Sequence, residues 1–211
     1  MEKIKVLCFH GFNQNKEKFI RKASAVRNTH KAKYEFVSFN APTQIGMIDD
    51  IDNINIQVPS YCWYYYSQED PPNIEWTKVF NTIESVDQLH GFLKSVEHVK
   101  ELLQNNTYDY YFGYSQGAAF LSLLIELNII NSSNAKKVVF CNGFYPLKIQ
   151  QDENQEGGGD KINIPTIHIV GINDEVIPEK QGRILANKFL NPVIIEHDKN
   201  HNIPKVKNLF D

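Results

Sequence analysis

Gly113-Tyr114-Ser115-Gln116-Gly117 fits the pattern G-x-S-x-G, a serine with a glycine two residues to either side. A serine hydroxyl is a weak nucleophile unless a base takes its proton and a carboxylate orients that base. In a nucleophile elbow the serine sits in a strained turn between a strand and a helix, where only small neighbours avoid a clash. The flanks agree: YDYYF, strand-like, precedes the motif and GAAFLSLLIEL, helix-like, follows it. The downstream sequence supplies partners in the required order of serine, acid, histidine. PTIHIV runs into GINDEVIP, which places Asp174 in the loop behind a strand, and PVIIEH runs into DKNHNIP, which places His201 behind the next. Glu175 adjoins Asp174, and His197 ends its strand. Asp174 is favoured as the shorter fit beside a strand end, and His201 because its loop has more reach. Acyl transfer also needs donors for a tetrahedral oxyanion. The backbone N–H of Gln116 follows the serine directly, and that of Phe12 lies in FHGFNQN after the first strand, where Gly11 permits a tight turn. His10 lies in this oxyanion loop, ahead of the serine, and is not read as the base.

Short apolar runs and helical patterns alternate along the chain and must position these groups. The strand candidates are Ile4–Phe9, Tyr34–Asn40, Tyr108–Phe112, Lys136–Cys141, Thr166–Val170 and Val193–His197. They are mostly apolar without alternation, as parallel strands covered on both faces should be. Glu84–Gln104 carries apolar residues at three- and four-residue steps, Ala118–Ile130 is apolar nearly all round, and Pro178–Leu190 opens with proline near a helix start. The pattern predicts an α/β fold, the α/β-hydrolase fold: one domain over residues 1–211, with an open, mostly parallel, doubly wound sheet of about six strands and helices on both faces. Ser115, Asp174 and His201 then share the carboxyl edge of the sheet, where such folds bind ligands. Two segments break the rhythm. Residues 41–76 read as a lid or pocket wall; their aromatics Tyr61, Trp63, Tyr64, Tyr65 and Tyr66 either line an acyl pocket, with Trp63 and Tyr64 as substrate-binding candidates, or pack beneath the loop. Residues 150–161, polar with Gly157–Gly159, read as a mobile surface loop.

A net charge of −3 and a pI near 6.2 give no electrostatic case for nucleic acid, and the serine–acid–histidine order makes a small-molecule ester the expected partner. No stretch reaches the roughly 18 apolar residues of a membrane span. The start MEKIKVLCF reads as a strand, not a signal peptide. Cys8, Cys62 and Cys141 form no C-x-x-C pair, and an odd count favours a reducing compartment, by default the cytoplasm. Asp49-Asp50-Ile51-Asp52 lacks EF-hand spacing, and no phosphate-binding or dinucleotide fingerprint occurs, so neither metal nor cofactor is expected.

LCFHGFNQN, SFNAP at Ser38–Pro42, CWYYYS and HGFLKSVEHVKELLQNNTYDYYFGYSQGAA together resemble the family of serine hydrolases, small α/β-hydrolases with yeast and human members. The resemblance runs from Lys3 to Pro204. It implies cofactor-free hydrolysis of carboxylic esters, or thioesters, of small to medium acyl chains through Ser115, Asp174 and His201. A catalytically impaired binding protein and a peptidase or amidase are the other readings of the same fold. Two departures stand out. Members usually carry glycine just before the histidine, where this chain has Lys199-Asn200, and they continue through a C-terminal helix, where this chain stops at Asp211.

Overall fold

The structure, a computed structural model, describes residues 2–50, 52–53, 55–66, 76–149 and 161–210. Six parallel strands form the central sheet: β1 (Ile4–Phe9), β2 (Tyr34–Ser38), β5 (Tyr110–Tyr114), β6 (Lys137–Cys141), β7 (Thr166–Gly171) and β8 (Val193–His197), in the spatial order β2-β1-β5-β6-β7-β8. The order reverses between β1 and β5, the crevice where a doubly wound sheet opens to ligands. The remaining pair, β3 (Thr43–Asp49) and β4 (Gln57–Cys62), is an antiparallel hairpin outside this sheet.

The absence of alternation in the strand sequences follows from the layers. Leu7 and Phe9 of β1 pack with Phe92, Val96 and Val99 of α4 (Phe92–Asn105), with α5 (Gln116–Glu126) and with Leu185 of α6 (Glu179–Ala186). Val6 and Cys8 face the other way, onto Phe19 of α1 (Lys16–Lys22), Val26 of α2 (Ser24–His30) and the buried Leu209 and Phe210. Both faces are therefore dry from Val6 to Phe9, and these four positions are all apolar, whereas Lys5 at the start of the strand is exposed. The nearly uniform hydrophobicity of α5 has the same cause: all residues from Gln116 to Ile125 are buried. No helix among the described residues is long and apolar enough to cross a membrane.

Three boundaries differ from the sequence expectation for local reasons. The pattern over Glu84–Gln104 breaks into a 3-10 turn at Val86–Gln88, capped by Ser85 and Gln88, and a helix that begins only after Gly91. Gly91 has φ 78°, a conformation that L side chains resist and that interrupts helical winding. The fifth strand runs from Tyr110 to Tyr114, two residues later than its apolar onset suggests, because Tyr108 packs into the core ahead of the ladder. Residues 41–76 are not a plain loop. They contain the β3–β4 hairpin, which the sequence hides because Pro59 lacks a ladder donor and a register shift falls between Gln44 and Gly46. A short helix, α3 (Trp76–Val79), follows. The acidic run sits at the hairpin turn, where Asp50 Oδ1 accepts the N–H groups of Asp52 and Asn53 and Asp52 pairs with Arg21. The expected mobile loop at 150–161 lies outside the described residues except for Lys161.

Candidate active site

Ser115 follows the last residue of β5 and precedes the first of α5, with φ 52° and ψ −121°. This is a sparsely populated conformation for a residue with a side chain, and the surroundings hold it in place. Ser115 N–H donates to Cys141 O at 2.9 Å, and Ser115 O accepts from Ala118 N at 3.0 Å. Both motif glycines are dictated by close approach. A Cβ on Gly113 would lie 2.5 Å from the Ala118 α-carbon, and one on Gly117 would overlap the carbonyl oxygens of Phe9 and His10. The sharp turn leaves the serine hydroxyl at the carboxyl edge of the sheet.

The loops after β7 and β8 meet it there. His201 Nε2 lies 3.0 Å from Ser115 Oγ, and His201 Nδ1 lies 2.7 Å from Asp174 Oδ2. A carboxylate only accepts, so Nδ1 carries the proton and Nε2 is left to accept from the serine hydroxyl. The other Asp174 oxygen, Oδ1, accepts the N–H groups of Val176 and Ile177, both at 2.9 Å. Its side chain is fully buried, while that of His201 keeps 17% exposure at the mouth of the site. The neighbouring candidates do other work. Glu175 Oε2 accepts from Asn200, and His197 Nε2 donates to Asn142 Oδ1 at 3.0 Å.

The loop after β1, the expected source of an oxyanion donor, is held from the strand outward. Gly11 N–H donates to Gln14 Oε1 at 3.1 Å, and the loop is pinned to the hairpin by Tyr61 N–H on Gln14 O at 2.8 Å. His10 is wholly buried. It accepts Ala41 N–H on Nε2 at 3.0 Å and donates from Nδ1 to Gly11 O at 2.7 Å, and burial pushes its pKa down to about 4. Both ring nitrogens are thus engaged by backbone groups, and the imidazole is neutral near pH 7. Phe12 follows in this loop, and Gln116 opens α5, where the first backbone N–H groups of a helix have no acceptor within the helix.

Trp63 and Tyr64, the expected pocket-lining aromatics, are both fully buried. The Trp63 ring stacks on Phe120 with centroids 4.9 Å apart and donates from Nε1 to His10 O at 2.8 Å. Their backbones grip the elbow: Trp63 N–H donates to Gln116 Oε1 at 3.0 Å, and Gln116 Nε2 donates to Tyr64 O at 2.6 Å. These two residues thus pack beneath the site and tie the hairpin to Gln116, the residue after Ser115.

Three supports of the histidine loop escape sequence reasoning. Tyr114 Oη donates to His201 O at 2.9 Å, Asn142 Nδ2 donates to Asn202 O at 3.1 Å, and Asn200 Oδ1 accepts from Glu175 N–H at 3.1 Å and from His201 N–H at 2.6 Å. Tyr114 and Asn142 each stand at or just past a strand end, which is the one signal that marks them. The segment after the histidine forms no helix. It is anchored by His30 Nε2 donating to Val206 O at 3.0 Å and by Tyr34 Oη donating to Phe210 O at 2.9 Å.

The family described as Serine hydrolase (FSH1) matches residues 1–211. Among curated proteins, Esterase CG5412 of Drosophila melanogaster is 29% identical over 206 residues, covering 96% of this chain and 69% of that protein. Esterase OVCA2 of Danio rerio is 28% identical over 211 residues, covering 95% and 90%. Among solved structures, Arabidopsis thaliana SOBER1 superposes with a TM-score of 0.62 at 14% identity, covering 97% of this chain and 93% of that one. Esterase PE8 does so with a TM-score of 0.57 at 19% identity, covering 96% and 86%. At these identities the structural likeness speaks for the α/β-hydrolase fold alone, whereas the family match spans every residue. The chain belongs to the FSH1 serine hydrolase family.

Proposed function

We propose that the protein hydrolyses carboxylic esters of small to medium acyl chains, thioesters included, through an acyl-enzyme on Ser115. The observation that carries this reading is the unbroken chain from Ser115 Oγ through His201 to Asp174, at 3.0 and 2.7 Å. Ser115 Oγ attacks the acyl carbonyl as His201 Nε2 takes its proton, and Asp174 stabilises the imidazolium and keeps its orientation. The backbone N–H groups of Phe12 and Gln116 receive the oxyanion. Collapse of the tetrahedral intermediate expels the alcohol or thiol, which takes the proton from His201. Water then gives a proton to Nε2 as its oxygen attacks the acyl-enzyme, releasing the acid and restoring the serine. Every group in the cycle belongs to this chain. The esterase names of the relatives point to the same substrate class.

The test is a series of p-nitrophenyl esters from acetate to laurate beside matched anilides, with Ser115→Ala as control and a fluorophosphonate as active-site label. Ester turnover and labelling should both vanish in the alanine variant. Faster turnover of the anilides would make the protein an amidase, and an unlabelled Ser115 would leave it a binding protein.

A further inference from the structure

The serine motif places no demand on its second position, occupied here by Tyr114, yet this side chain touches both the histidine loop and the loop after β1. It ends β5 and is 1% exposed. Its ring lies 5.1 Å from that of His201 between centroids, tilted by 39°. The same ring walls the oxyanion loop, since a Cβ on Gly11 would lie 3.1 Å from Tyr114 Cδ1 and Cε1. The Lys22 Nζ sits over the ring, 5.2 Å from its centroid. From this packed ring the hydroxyl reaches past the imidazole and donates to His201 O at 2.9 Å. Residues 198–202, which carry the histidine, lie in neither helix nor strand. Bonds to Ser115 and Asp174 set the turn of the imidazole, but they set the place of its Nε2 only if the backbone beneath is fixed.

We propose that the Tyr114 hydroxyl is a positioning group that fixes the backbone of His201 so that Nε2 stays in line with Ser115, an inference that rests on the hydrolase reading for its effect on rate. Because the same ring braces Gly11, one side chain sets the spacing between the base and the oxyanion loop. Burial pushes the phenol pKa well up, so the group remains a donor throughout the working range.

Tyr114→Phe keeps the ring, its packing on Gly11 and the Lys22 contact, and removes only the hydroxyl. The expected result is a fall in kcat of about ten- to a hundredfold for p-nitrophenyl butyrate with KM within about twofold, the pattern of a misplaced group that does not bind substrate. The imidazole Nδ1–H resonance of His201, sheltered in the wild type by Asp174, should broaden through solvent exchange in the variant. Unchanged kcat with a sharp resonance would overturn the proposal and leave the hydrolase reading intact. A wild type inert towards esters whose His201 resonance still depends on the Tyr114 hydroxyl would uphold the positioning role and sink the hydrolase reading.

Discussion

Asn200 and Glu175, each next in sequence to a member of the Ser115–His201–Asp174 chain, hold one another twice. Glu175 N–H donates to Asn200 Oδ1 at 3.1 Å, and Asn200 Nδ2 donates to Glu175 Oε2 at 3.0 Å. The loops after β7 and β8 are thereby stitched by one side chain-to-backbone bond and one side chain-to-side chain bond. Asparagine orders this loop both by its hydrogen bonds and by a backbone less free than that of glycine. Replacing Asn200 with Gly should free the loop and lower kcat about three- to tenfold, as expected for the loss of exposed hydrogen bonds of about 0.5–1.5 kcal/mol. Steady-state kinetics on a p-nitrophenyl ester checks this, and an equal or faster variant would show the stitch to be idle.

Asp174→Asn tests the direction of the imidazole. The asparagine oxygen can still accept from Val176 and Ile177, so its amide nitrogen is turned towards His201 Nδ1. Two donors would then face each other unless the ring moved its proton to Nε2, where it can no longer take one from Ser115. A fall in kcat of about 10⁴ with near-normal stability is the expected outcome, by analogy with tautomer reversal in other serine triads. Single-turnover acylation by a fluorophosphonate should slow in parallel.

Gly117→Ala sets a methyl group against the carbonyl oxygens of Phe9 and His10. Neither is a flexible side chain, so α5 or the end of β1 must move. Unfolding in urea should show a loss of about 1–3 kcal/mol, the usual cost of overpacking. Because the backbone that moves leads into Phe12, activity should fall further than stability alone accounts for. A variant of normal stability and activity would mean that the elbow and β1 are less closely joined than their spacing requires.

His10 makes stability depend on acidity. Burial lowers its pKa from the ordinary 6.5 to about 4, opposed in part by its bond to Gly11 O. The unfolded chain therefore takes up a proton as pH falls through 6.5, whereas the native one does so only near 4. The contribution of this histidine is fully present above pH 6.5 and is lost as pH falls towards 4, amounting to about 3 kcal/mol at the end of that window. His168, buried against Phe140 and held at about 3, acts in the same direction. Urea unfolding between pH 7 and 4.5 should show a steeper loss for the wild type than for His10→Asn, which has no proton to gain there. Parallel slopes would exclude His10 as the source.

The meeting place of Ser115, His201 and Asp174 was more legible in the chain than the scaffolding around it. Ser115, Asp174 and His201 each announce themselves by residue type and by standing just past an apolar run, because a parallel sheet covered on both faces writes its strands as continuous hydrophobic stretches. The hairpin was not legible. Pro59 within β4 reads as a strand breaker until its pairing with Met47 on an isolated two-stranded ribbon is seen. Trp63 and Tyr64 were ambiguous for a different reason: an aromatic run has the same composition whether it lines a pocket or lies under a loop, and full burial places these two beneath the elbow. Tyr114 and Asn142 were out of reach because they bond to the backbone of residues far away in sequence, which no spacing encodes. Asn200 stood out only as a departure from glycine, its bonds to Glu175 being equally hidden.

Phe210 rests on Tyr34 and Tyr110, the first residues of β2 and β5, with ring centroids 5.0 and 5.6 Å away. His201 stands at the opposite end of those same strands. The nine residues from His201 to Leu209 therefore act as a guy-line strung down the full height of the sheet, with the imidazole at its top and an aromatic peg at its foot. Loosening at the foot of the sheet should slacken that line, and its effect would be felt at the His201 imidazole, far from where the damage lies.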